Sequence, residues 1–228
     1  PWCSLNPAPT SLVLDEDITH IGNYAFYGCS SFTGSLTIPN SVTTIGNNAF
    51  QECSGFTGSL TIPNSVTSIG EGAFYNCTKF NGSLTIGNSV TTIENAAFYG
   101  CDGFTEVHSS AVIAPTLGTE VFANINENAI LYHPVSSEPS YEEKGWFKYF
   151  LQHVGADGKC GDNLYWYVDD ENILTIFGTG AMYDYESSSN KAPWRSLNPA
   201  PKSLVLEEGI THIGNSAFHG CSSFTGSL

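Results

Sequence analysis

The chain has 228 residues, 41% of them apolar, and carries 22 acidic against 7 basic residues, a formal net charge of −15. There is apolar material for a core, but no stretch approaches the ~20 apolar residues that cross a bilayer. That speaks against membrane insertion, and an acidic surface without long charge runs repels polyanions, which argues against nucleic acid and anionic membranes and for a soluble, extracellular-type surface.

The chain opens at Pro1-Trp2-Cys3, inside a motif and without an initiator Met, as expected of a piece cut from a longer array. From residue 11 onward a 24-residue period takes over. Leu36-Thr37-Ile38-Pro39-Asn40-Ser41-Val42 returns at Leu60–Val66 and, with Gly87 in place of Pro, at Leu84–Val90. The same step links Ile21, Ile45, Ile69 and Ile93; Phe26, Phe50, Phe74, Phe98 and Phe122; and Cys29, Cys53, Cys77 and Cys101.

Each unit reads as one coil. Leu-Thr-Ile alternates apolar, polar, apolar, the pattern of a strand with one buried face. Pro/Gly-Asn-Ser is a turn, and Val-Thr-Thr/Ser-Ile is a second short strand. Ala-Phe-x-x-Cys then has the offsets of a single α- or 3-10 helical turn. One coil leaves apolar surface open on both sides, so stacking is required. The expected class is an α/β solenoid: an array of stacked two-strand coils with short helical turns, plus a small β-hairpin element.

Further along, residues 105–133 hold a degenerate coil that ends on Ile130-Leu131-Tyr132. The segment 134–154 is expected to be a helical C-terminal cap, with Ser140 and Glu143 spaced as a capping box and Tyr141, Trp146, Phe147 and Phe150 across the end of the stack. Residues 155–192 read as a linker and a β-hairpin of 164–168 with 173–177. Residues 193–228 repeat residues 1–36 with 30 of 36 positions identical, so the array assigned to 1–133 is followed by the first coil of a second one.

The segments SLTIPNSVTTIGNNAFQECSGF, SLTIPNSVTSIGEGAFYNCTKF and SLTIGNSVTTIENAAFYGCDGF resemble the BspA-type leucine-rich repeats of bacterial surface proteins. Residues 160–182 are similar to the β-rich element that precedes such arrays. The resemblance implies a right-handed leucine-rich-repeat solenoid, display at the cell surface, adhesion to host proteins or other cells, and no catalytic residues. The chain is expected to be a secreted or surface-displayed module that recognises an extracellular protein or glycan. A structural spacer in a long tandem-repeat surface protein is the alternative.

No motif contradicts a non-enzymatic reading. The chain lacks a C-x2-C pair, H-E-x-x-H, a nucleophile elbow and a phosphate loop, so neither a catalytic site, a metal nor a cofactor is expected. The column cysteines are expected as buried reduced thiols, with a Cys3–Cys160 bridge as an open alternative. Asp15-Glu16-Asp17 and Asp169-Asp170-Glu171 read as solvated loops, with weak Ca²⁺ binding as an open alternative. Recognition is expected where the coils vary: an aromatic ridge of Tyr27, Tyr75 and Tyr99, with Glu52, Lys79 and Asp102 beside it. Because residues 203–228 match residues 11–36, head-to-tail self-association is a further expectation.

Overall fold

The structure, a computed structural model, describes residues 5–134, 137–155, 158–162, 164–168, 172–186 and 189–225. They fall into two compact units, 1–154 and 155–228.

Two sheets run along the coils. One joins β1 (His20–Ile21), β2 (Thr44–Ile45), β4 (Ser68–Ile69), β6 (Thr92–Ile93) and β8 (Thr116–Leu117). The other joins β3 (Gly58–Ile62), β5 (Phe80–Ile86), β7 (Glu106–Ser109), β9 (Ile130–His133) and β10 (Gln152–Gly155). Pairing is parallel from β1 to β8 in the first and from β3 to β9 in the second. Strands pair in repeat register, so Ile21, Ile45, Ile69, Ile93 and Leu117 form one row. Leu60, Leu84, Val107 and Leu131 form another. In β3 the alternation is visible directly, with Leu60 and Ile62 buried on either side of exposed Thr61.

The Ala-Phe-x-x-Cys segments are not helical, which corrects the expected α/β class: the array is a β-solenoid with almost no helix. Each segment is a run of turns, and two residues four apart take left-handed backbone in every one. These are Tyr24 and Gly28, Asn48 and Glu52, Gly72 and Asn76, Ala96 and Gly100. A left-handed residue breaks an α-helix. The freed N–H groups turn sideways: Tyr24, Phe26 and Gly28 donate to the carbonyls of Asn47, Ala49 and Gln51 at 2.8–2.9 Å. Lateral bonding between coils therefore continues where a helix would have bonded within itself.

The interior is a set of side-chain columns. Phe26, Phe50, Phe74, Phe98 and Phe122 stack with centroids 5.2, 5.3, 5.3 and 5.5 Å apart. Phe32, Phe56, Phe80 and Phe104 form a second column at 5.8, 6.2 and 5.4 Å. The thiols of Cys53, Cys77 and Cys101 are reduced and buried. Each donates to a carbonyl one coil back, that of Phe26, Phe50 and Phe74 respectively, at 3.0–3.1 Å. Burial pushes Cys53 and Cys101 up to about 12 and raises Cys77 as well, so none offers a thiolate. Cys29 departs from the expected column of thiols because it is disulfide-bonded. Cys160 is buried and free, so the Cys3–Cys160 alternative is not formed.

Coil spacing is set by a matched pair. Asn23 Oδ1 accepts from Asn47 N at 2.8 Å, Asn47 Oδ1 from Glu71 N at 3.1 Å and Asn95 Oδ1 from Thr119 N at 2.8 Å. A Cβ at Gly46 or Gly70 would lie 2.5 Å from the Asn23 or Asn47 oxygen, and one at Gly118 would lie 2.6 Å from that of Asn95. Where the earlier coil carries Glu71 instead of Asn, the facing residue is Glu94 instead of Gly.

A cap closes the first unit. Phe122 meets Trp146, Tyr149 and Phe150 at 5.3, 5.8 and 5.4 Å. Trp146 Nε1 donates to Pro115 O at 3.0 Å, and the Tyr141 hydroxyl is 2.7 Å from Ser109 Oγ and 2.9 Å from Ala111 O. The expected capping box is absent. Helix α1 (Glu138–Glu143) begins after Ser137, whose side chain caps nothing. Ser140 lies inside the helix, and its Oγ accepts from Ala114 N at 3.0 Å.

His133 is buried in this cap, against Tyr141, Phe147 and His153, with its Nε2 3.5 Å from His153 Nδ1 and its Nδ1 3.1 Å from Pro134 O. Burial holds its pKa below the ordinary 6.5, with the nearby His153 acting the same way and the Pro134 carbonyl and Glu138 opposing it. The unfolded chain takes up a proton that the folded one refuses, so stability present above about pH 6.5 falls as pH drops below that value. Denaturation midpoints of wild type and His133→Gln between pH 7.5 and 5 check this. The wild type should lose more stability on acidification, and parallel profiles would refute it.

In the second unit, β11 (Gly158–Gly161), β12 (Leu164–Val168) and β13 (Ile173–Gly178) pair antiparallel, and β13 continues in parallel onto β15 (Ser203–Leu206). Likewise β14 (Gly180–Ala181) pairs in parallel with β16 (Ile210–His212). Trp194 fills the centre, edge-on to Trp166, with its Nε1 donating to Ala217 O at 2.9 Å. The connection 169–171, with its acidic run, lies outside the described residues.

Candidate functional site

The residues expected to form a binding ridge lie on the turn side of the coils. Tyr75 and Tyr99 stack at 4.8 Å and 5°. Tyr27 is 41% exposed and does not join them: Gln51 holds the intervening position, and Tyr27 pairs with Tyr24 at 5.9 Å. Glu52 is exposed and lines a groove of about 450 Å³ with Gly28, Ser30, Ser54, Asn76 and Thr78. Lys79 and Asp102 are exposed and do not line that groove. The ridge is therefore a tyrosine pair and a separate polar groove.

A larger surface lies over the sheet containing β3 and β5. It is a trough of about 600 Å³ lined by Ser35, Thr37, Asn40, Ser59, Thr61, Asn64, Thr85 and Ser110, floored by Leu36, Ile38, Ile62, Pro63 and Gly87. Threonine ladders use their hydroxyls in two ways here. Thr43, Thr67 and Thr91 donate Oγ1 to the carbonyls of Thr19, Thr43 and Thr67 at 3.0, 3.2 and 3.1 Å, tying coil to coil. Among the described residues, the hydroxyls of Thr37, Thr61 and Thr85 make no such bond and line the trough.

Past Thr85 the same row changes character, because the register sets His108 beside Thr85 and Tyr132 beside His108. These rings stack at 4.6 Å and 3°, and His108 Nε2 lies 2.8 Å from the Glu106 carboxylate. Burial, then the Glu106 charge, pushes the Tyr132 hydroxyl up to about 12. The sequence analysis singled out neither Glu106 nor His108, because the 24-residue period fades over residues 105–133.

Among the described residues, no three His, Cys, Asp or Glu side chains converge as metal ligands, and no helix is long and apolar enough to cross a membrane. The Asn81 carboxamide, part of a glycosylation-type sequon, accepts from Gly58 N at 2.8 Å.

Parallel sheets, phenylalanine columns and a repeated Leu-x-Ile strand define a leucine-rich-repeat solenoid. The BspA type leucine-rich repeat region matches residues 5–128 and 198–226 in six copies, and with more than half of its length matched the chain belongs to that family. Two solved structures are similar to it. A leucine-rich cell surface protein from Faecalibacterium prausnitzii A2-165 shares 21% identity over 92% of this chain and 58% of its own, with a TM-score of 0.38. A leucine-rich repeat protein from Bacteroides ovatus ATCC 8483 shares 17% identity over 93% and 64%, with a TM-score of 0.32. The chain thus spans about three fifths of the length of these proteins. No curated protein matches.

Proposed function

We propose that this chain is a non-enzymatic binding module, displayed outside the cell, that presents its coil surfaces to an extracellular protein or glycan. The observation that carries this is the division of labour within the repeat. The coils over residues 36–104 keep the same Phe, Leu, Ile and Cys interior, while outward residues form open grooves of about 600 and 450 Å³ without a convergent reactive group. Family membership and a formal net charge of −15 are in keeping with display outside the cell.

The test is direct capture. Immobilised chain 1–228 is exposed to extracellular matrix proteins and to a panel of soluble polysaccharides, with saturable binding read by interferometry. Saturable binding to any of them supports the module. Uniform failure across both panels favours the spacer reading, in which the stack only holds other domains away from the cell.

A further inference from the structure

We infer that the trough over β3 and β5 is a carbohydrate subsite whose ligand is a neutral, polyhydroxylated glycan chain lying across the strands. This rests on the proposed binding function and names its partner. The first support is the contrast between the two threonine ladders. One holds coils together through its hydroxyls, whereas Thr37, Thr61 and Thr85 keep theirs for whatever enters the trough.

The second support is charge. On a chain of net charge −15, no Asp, Glu, Lys or Arg lines the trough. A cationic or anionic ligand would find no countercharge there, while a neutral one loses nothing by its absence. Protein interfaces draw most of their affinity from buried Trp, Tyr and Arg anchors, and the trough holds none of these. It offers instead hydroxyls, which both donate and accept, with Thr61 and Thr85 opposite one another on β3 and β5, about 4.8 Å apart. A sugar chain presents the matching array of hydroxyl groups.

The experiment titrates chain 1–228 with mannan, dextran and galactan, and with polygalacturonate as the charged comparison. Binding to at least one neutral polymer is expected, together with weaker or no binding to polygalacturonate. The double variant Thr61→Val/Thr85→Val should weaken neutral binding by about tenfold or more, as lost neutral hydrogen bonds imply, with an unchanged unfolding midpoint. Thr67→Val, from the structural ladder, should leave affinity unchanged. No binding to any neutral polymer, equal binding of the double variant, or a preference for polygalacturonate would each overturn the assignment. Capture of matrix proteins without neutral polysaccharides would leave the binding module standing and remove only the carbohydrate subsite.

Discussion

Phe74→Ala is expected to lower the unfolding free energy by about 3–5 kcal/mol, at the upper end for a buried aromatic deletion. Phe74 has no exposed surface and lies 5.3 Å from both Phe50 and Phe98, so removing it leaves a gap that two coils must share. A coil draws its stability from its neighbours' cover, and a gap in mid-column weakens the interfaces on both sides. Phe26→Ala serves as the internal standard. Phe26 is only half-buried, and its loss should cost clearly less. Urea denaturation of both variants decides the matter, and a loss at Phe74 no greater than at Phe26 would show that the column is not what stabilises the stack.

The cap should respond as strongly. Trp146→Ala removes a fully buried ring from the end of the Phe122 column and strips the Pro115 carbonyl of its donor. Ring deletion alone costs about 3–5 kcal/mol, and the orphaned carbonyl adds about 1–3 kcal/mol. Opening the cap also uncovers Phe122 and the apolar surface around it, so the variant should associate at concentrations where the wild type does not. Denaturation and light scattering read the two effects separately. A Trp146→Ala protein with wild-type stability and unchanged scattering would mean that residues 137–154 are ornamental.

The strand rows and phenylalanine columns were legible in the sequence because Leu, Ile and Phe recur at a fixed step, and burial alone dictates that pattern. The turns were misread because Ala-Phe-x-x-Cys has the offsets of a helix. The contrary sign was weak: Asn48, Gly72, Asn76 and Gly100 tolerate left-handed backbone, but Tyr24, Glu52 and Ala96 adopt it with no such signature. Ser140 was misassigned for a related reason. Its partner is the backbone of Ala114, and no local spacing announces a contact so distant in the chain. The row of tyrosines is interrupted at one readable place, Gln51. Thr37, Thr61 and Thr85 were plainly outward from their alternation, but only three dimensions separate hydroxyls already committed to a neighbouring coil from those left unclaimed.

The Asn–Gly pairing between successive coils governs how such an array changes length in evolution. Copies cannot be dealt in and out like identical cards, even when the 24-residue frame is kept. Excising residues 60–83 would preserve that frame while bringing Asn47 against Glu94, where Gly70 now leaves room for its carboxamide. Excising residues 47–70 removes both members of the pair together and leaves Asn23 facing Gly46 and Glu71 facing Glu94. Gene duplication or loss is therefore channelled toward cut points that keep each residue with its fitted neighbour.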